Sequence, residues 1–198
     1  MENAATLRVA VFPRAGWLTD TILVLAGALF VAAAAQFSIS IEPLSPVPIT
    51  GQTFAVLLVG ASYGALLGSA SLALYVLMGL SGLPFYAEHK HGWDVLSGPS
   101  GGYLVGFVVA AAVVGLLAQL KWDRKFSSAV SAMLTGSVII YVFGVAWLMH
   151  DLDLNFSTGL KEGLAPFVPG DIVKLYLAGA LLPAAWAAVK RFRGREDD

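Results

Sequence analysis

Asp171 and Lys174 stand three residues apart in Pro166-Phe-Val-Pro-Gly-Asp-Ile-Val-Lys174, a spacing that puts both on one face of a helix. Together they offer a carboxylate acceptor and a cation to a polar ligand. The same pair also suits a membrane-interface ion pair, with Lys174 snorkelling outward and Asp171 capping the helix. Ionisable groups within apolar segments are more often functional than decorative, which favours the ligand reading. Two other stretches share this character. Leu44-Ser-Pro-Val-Pro-Ile-Thr-Gly-Gln52 is uncharged and proline-rich, and it delivers Thr50 and Gln52 to a helix entrance. Its low polarity predicts a cover packed down onto the protein. In Ser97-Gly-Pro-Ser-Gly-Gly-Tyr103, the glycines Gly98, Gly101 and Gly102 permit a close backbone approach, and the first N–H groups of the following helix point outward. Converging helix starts with polar side chains make a small-molecule site.

Other chemistries find little support. His89-Lys-His91 with Glu88 and Asp94 lacks metal-ligand spacing and reads as a solvated loop, as does His150-Asp-Leu-Asp153. No phosphate-binding G-x-x-x-x-G-K-[ST] loop occurs, so ATP hydrolysis would need other chains. H-E-x-x-H is absent too, and an intramembrane enzyme using Asp171 with His89 or His150 has no catalytic spacing behind it. The chain has no cysteine, which removes disulfides, thiolate metal sites and cysteine nucleophiles. No catalytic residue, metal site or cofactor is expected.

The elements that must position these residues follow from composition. Of 198 residues, 13% are charged and 58% hydrophobic, and the mean hydropathy is +0.77. A soluble domain carries about 25% charged residues, so a polar shell cannot be assembled here. A net charge of −1 gives no support to nucleic-acid binding. The composition predicts an all-α integral membrane protein.

No Asp, Glu, Lys or Arg lies between Asp20 and Glu42, Glu42 and Glu88, Asp94 and Lys121, or Lys125 and Asp151. A helix needs about 20 apolar residues to cross the hydrocarbon core. The second interval is long enough for two spans, with Gly60, Gly64 and Gly68 as the turn between them. Pro169-Gly170 starts a last helix. The result is a single domain, 1–198, holding six transmembrane helices in a compact bundle: roughly 20–39, 52–65, 67–81, 101–120, 127–149 and 171–190.

Six spans place both termini on one side, with Arg8, Arg14, Lys121, Arg124, Lys125, Lys190, Arg191, Arg193 and Arg195; the other side holds only Lys90 and Lys161. Basic residues mark the cytoplasmic face, so both termini are expected to be cytoplasmic. Trp17, Trp93, Trp122 and Trp147 sit near span ends as an interfacial belt. Ala28 and Ala32, four apart in the first span, form a small-xxx-small pair suited either to packing within the bundle or to docking another membrane subunit.

Taken in order, Val47-Pro-Ile-Thr-Gly-Gln-Thr-Phe54, Gly82-Leu-Pro-Phe85, Gly98-Pro-Ser-Gly-Gly-Tyr-Leu-Val-Gly-Phe107 and Pro166-Phe-Val-Pro-Gly-Asp-Ile-Val-Lys174 resemble the BioY family, biotin-binding S components of energy-coupling factor transporters. The resemblance implies a six-helix bundle in the bacterial cytoplasmic (inner) membrane that captures biotin from outside. It implies partners on other chains: a transmembrane coupling subunit and two ATP-binding-cassette ATPases. The acid and lysine after the last Pro-Gly correspond by motif to Asp171 and Lys174. The Ala28-x-x-x-Ala32 pair is similar to the alanine motif by which S components dock, which raises the docking reading. For biotin, Asp171 would accept from the ureido N–H groups, and Lys174 would meet either the ureido carbonyl or the carboxylate. Gln52, Thr50 and Tyr103 would add polar contacts, Phe54, Phe85 and Phe167 would wall the apolar body, and Tyr86 is a further candidate. Ser100 departs from the threonine common in the family. The alternatives are an S component for another vitamin, or a solitary biotin carrier without ATPase subunits.

Overall fold

The computed structural model describes residues 6–14 and 16–194. Helices dominate it: α1 (Leu7–Val11), α2 (Trp17–Gln36), α3 (Gln52–Tyr63), α4 (Ala65–Leu80), α5 (Trp93–Ser97), α6 (Gly101–Gln119), α7 (Phe126–Asp151), α8 (Phe156–Gly163) and α9 (Val168–Gly194). A small antiparallel pair, β1 (Ser38–Ile39) and β2 (Ile49–Thr50), aligns Ser38 with Thr50. Among the described residues, four helices are long and apolar enough to cross a membrane: α2, α6, α7 and α9. The expected second and third spans are shorter, at 12 residues for α3 and 16 for α4. Neither reaches the length of about 20 residues that a crossing takes. The reason is the intervening break at Gly64, where φ is +85° and its N–H returns to the Gly60 carbonyl at 2.9 Å.

Glycines set how closely this layer packs. Of the three assigned to the turn, only Gly64 makes it. A Cβ on Gly68 would lie 2.9 Å from the Gly60 Cα, and one on Gly60 would lie 2.7 Å from the Ala111 carbonyl oxygen. Gly60 and Gly68 therefore bring α3, α4 and α6 together, a packing use of small residues. Helix α6 lies centrally between α7 on one side and α3 and α4 on the other; α2 packs on α4, and α9 on α7 and α3. The outward faces are apolar, as Leu18, Ile22, Leu25, Leu29 and Phe30 of α2 show. A stripe of that kind suits lipid, not water.

The small residues of α2 are placed differently from the docking expectation. Ala28 is 1% exposed and Ala32 5% exposed, so their shared face is turned into the chain. Beside them, a Cβ on Gly27 would lie 2.7 Å from the Ser71 Oγ of α4. Close approach of α2 to α4 uses this stripe.

The connections carry structure that apolar periodicity does not announce. The proline-rich segment does pack inward: Ser45 and Val47 are buried, and the Gly51 N–H donates to the Phe37 carbonyl at 2.9 Å. Arg8 of α1 pairs with Asp20 in the first turn of α2. Between α6 and α7, Asp123 is 1% exposed and accepts from the Trp186 Nε1–H of α9 at 2.5 Å. Arg124 lies over the Trp186 ring, 3.4 Å from its centroid. Burial pushes the Asp123 carboxyl above its ordinary range, against the opposing pull of the Trp186 hydrogen bond and the Arg124 charge. This cluster fastens the C-terminal half of α9 to the α6–α7 loop. Helix α9 itself starts at Val168, earlier than the expected 171, because Pro169 is tolerated in a first turn. Arg195 lies outside the described residues.

Candidate ligand-binding site

Asp171 is 6% exposed, and its carboxylate is already held from three sides. The Tyr141 hydroxyl of α7 donates to Oδ2 at 2.5 Å, the Lys174 Nζ to Oδ1 at 2.9 Å, and the Thr53 hydroxyl to Oδ1 at 3.3 Å. Lys174 also donates to the Thr53 Oγ1 at 2.9 Å and to the Thr50 carbonyl at 2.8 Å. The two residues are one turn apart because α9 is helical there, and the backbone of Asp171 already donates to Phe167. Asp171 is thus inside the helix, not its cap, and Lys174 reaches inward toward β2 instead of snorkelling. A desolvated ion pair is stabilising only when its remaining lone pairs and protons find partners, and here three other groups provide them.

This network forms one end of a cavity of about 600 Å³, within the range of small-molecule sites. The cover contributes Pro46, Val47 and Pro48; α6 contributes Tyr103, Leu104 and Phe107; α7 contributes Ile140 and Tyr141. Tyr103, Tyr141 and Phe167 form an aromatic triangle with centroids 6.3–6.5 Å apart. The Tyr103 hydroxyl donates to the Gly163 carbonyl at 2.7 Å, which fixes the ring and anchors the end of α8. Gln52 Nε2 donates to the Tyr75 hydroxyl at 2.6 Å, and Tyr75 donates on to the Phe85 carbonyl at 3.2 Å. Tyr86 is buried, stands edge-on to Tyr75 and donates to the Val76 carbonyl at 2.7 Å; burial pushes its phenol up to about 12. These side chains hold the walls in place by bonds to backbone, a form of preorganisation.

Asp171, Lys174, Thr50, Gln52, Tyr103, Tyr86 and Phe167 all lie on the cavity wall. Gly98, Gly101 and Gly102 do not, nor do Phe54 and Phe85. The three glycines serve packing instead. The Gly98 carbonyl accepts from Trp147 Nε1–H at 3.0 Å, and a Cβ on Gly101 or Gly102 would run into Leu96, Trp147 or Phe143. They let the start of α6 sit against α7. Thr53 and Tyr141 line the same cavity without having been expected there. Thr53 follows Gln52 directly, so the same helix entrance marks it; Tyr141 sits in a uniform apolar run with no local marker. The loop Glu88–His91, read as solvated, is exposed but lines the mouth of the cavity together with Asp94. Among the described residues, no group of three or more His, Cys, Asp or Glu side chains is arranged to hold a metal ion.

The sequence model of the BioY family matches residues 3–191. The chain belongs to the BioY family. Among similar proteins, the biotin transporter BioY of Thermotoga maritima is 41% identical over 142 residues, covering 70% of this chain and 80% of that protein. The probable biotin transporter BioY of Pyrococcus horikoshii is 37% identical over 150 residues, covering 74% of this chain and 85% of its relative. Among solved structures, the S-component for biotin from an ECF-type ABC transporter superposes with a TM-score of 0.76 at 24% identity, over 84% of this chain and 90% of that one. At that identity the shared property is the fold. BioY proteins are transporters, and the multi-pass apolar helices of this chain agree with that class.

Proposed function

We propose that this chain is a biotin-binding S component, capturing biotin from outside and passing it across the bacterial cytoplasmic membrane with an energy-coupling module. The observation that carries the reading is the closed network of Asp171, Lys174, Thr53 and Tyr141 at one end of an aromatic-walled cavity. Biotin offers two ureido N–H donors, an apolar bicycle and a carboxylate. A carboxylate oxygen pair has about four lone-pair sites, so Asp171 retains room for one ureido N–H. The Tyr141 hydroxyl, donating to Asp171, keeps acceptor capacity for the second. Tyr103, Phe107 and Phe167 suit the apolar rings. As site residues we take Asp171, Lys174, Thr50, Gln52, Tyr103, Tyr86 and Phe167, with Thr53 and Tyr141 added.

The whole chain, 1–198, would form one membrane domain, with α3 and α4 completing six membrane helices around α6 and both termini cytoplasmic. Biotin is the transported ligand, and no resident cofactor is invoked. The energy would come from other chains, a transmembrane coupling subunit and two ATP-binding-cassette ATPases, because this sequence has no phosphate-binding loop. Radiolabelled biotin uptake by cells lacking their own importer tests this. Uptake should require this chain together with the coupling subunit and ATPases. Full uptake with this chain alone would replace the modular importer by a solitary carrier.

A further inference from the structure

We propose that Lys90, at the mouth of the cavity, is the specificity-determining cation that receives the carboxylate of the ligand, and that Glu88 competes with the ligand for it. The proposal rests on the biotin reading above and deepens it. Among the described residues lining the cavity, the lysines are Lys174 and Lys90. An ammonium has three donors, and those of Lys174 meet Thr50 O, Thr53 Oγ1 and Asp171 Oδ1 at 2.8, 2.9 and 2.9 Å. A ligand carboxylate placed there would break one of these bonds and set a second anion beside Asp171. Like charges at such range are repulsive, most of all away from water. The inner end therefore suits the neutral, hydrogen-bonding head of a ligand, and the acidic end must find its cation elsewhere.

Lys90 has the placement and freedom to be that cation. Its Nζ pairs with Glu88 Oε2 at 2.6 Å, and its side chain is 60% exposed. An ion pair this open to solvent is weak and readily exchanged. The turn that carries it is anchored. The Tyr86 N–H donates to the Lys90 carbonyl and the Lys90 N–H to the Ala87 carbonyl, both at 3.1 Å, while the Gly92 N–H donates to the Gly79 carbonyl at 2.9 Å. Tyr86 is buried and bonded to Val76. The side chains of the turn are therefore presented at the cavity mouth by a fixed backbone. His89, His91, Glu88 and Asp94 line the cavity together with Lys90. Bound lengthwise, a ligand with a neutral polar head and an acidic tail would meet Asp171 at one end and Lys90 at the other.

The test compares biotin with biotinamide, its neutral primary amide, on solubilised wild type, Lys90→Gln and Glu88→Gln. The wild type should prefer biotin by roughly five- to tenfold, the scale of one charge-assisted contact near solvent. Lys90→Gln should lower biotin affinity to that of the amide while leaving amide binding unchanged, which also shows the variant to be folded. Glu88→Gln should tighten biotin and leave the amide alone, because it removes the competitor. Equal weakening of both ligands by Lys90→Gln, or an undiminished preference for biotin, would overturn the role of Lys90 and leave the biotin reading standing. A folded wild type that binds neither compound would overturn both.

Discussion

The Tyr141 hydroxyl of α7 lies 2.5 Å from the Asp171 carboxylate of α9, across 30 residues of sequence. With Thr53 of α3 on the other oxygen, this bond joins three helices at a single carboxylate. Asp171 therefore fixes the relative placement of the elements that form the inner end of the cavity. Substitutions here should separate into effects on affinity and effects on stability.

Asp171→Asn keeps size and one acceptor but loses charge. Biotin binding should weaken by about 1.5–3 kcal/mol, roughly ten- to a hundredfold. Melting temperature and affinity should be measured together. Unchanged affinity in well-folded protein would remove Asp171 from the site.

Tyr141→Phe removes the short donor to Oδ2 and leaves the ring in the aromatic triangle. An approximately tenfold loss of affinity is expected, from one hydrogen bond to a charged group. Isothermal titration of the variant checks it, and wild-type affinity would place the phenol outside the ligand's reach.

What could be read in the sequence and what could not follows from the range of each signal. The i, i+3 spacing of Asp171 and Lys174 is local, so their proximity was legible; Thr50 and Gln52 were legible because prolines mark their loop. Tyr141 was not, since a tyrosine within an apolar helix has no mark that says which element it faces. The membrane class followed from charge-free intervals, whereas the division of one such interval into α3 and α4 gave helices shorter than the lipid core demands. Helices α1, α5 and α8 are too short to impose a period on their sequence. Ala28 and Ala32 illustrate the opposite limit: small residues fit equally against a helix of the same chain or of another, and only the placement of α4 decides.

For that reason Ala28→Trp should act on folding. Ala28 is buried against the bundle, whereas Ala33 on the same helix is exposed. Overpacking a filled interior by even a few methylenes costs about 1–3 kcal/mol, and an indole adds far more. Size-exclusion profiles and melting curves should show Ala28→Trp lost or strongly destabilised, with Ala33→Trp close to wild type. Equal behaviour of the two would return Ala28 to the candidate docking surfaces.

Topology is accessible because the chain has no native cysteine. Single cysteines at Arg14 and Lys125 should be shielded from an impermeant thiol reagent in intact cells, and cysteines at Lys90 and Lys161 should label. Labelling at Lys125 from outside would overturn the orientation with cytoplasmic termini.

The central claim is that the cavity behind the Asp171–Lys174 network holds biotin. A binding isotherm of biotin on detergent-solubilised, monodisperse wild-type protein tests it most directly. The predicted result is saturable binding at a single site, weakened by Asp171→Asn in protein that still melts cooperatively. No saturable binding by folded protein, or tighter binding of a different vitamin at the same site, would contradict it.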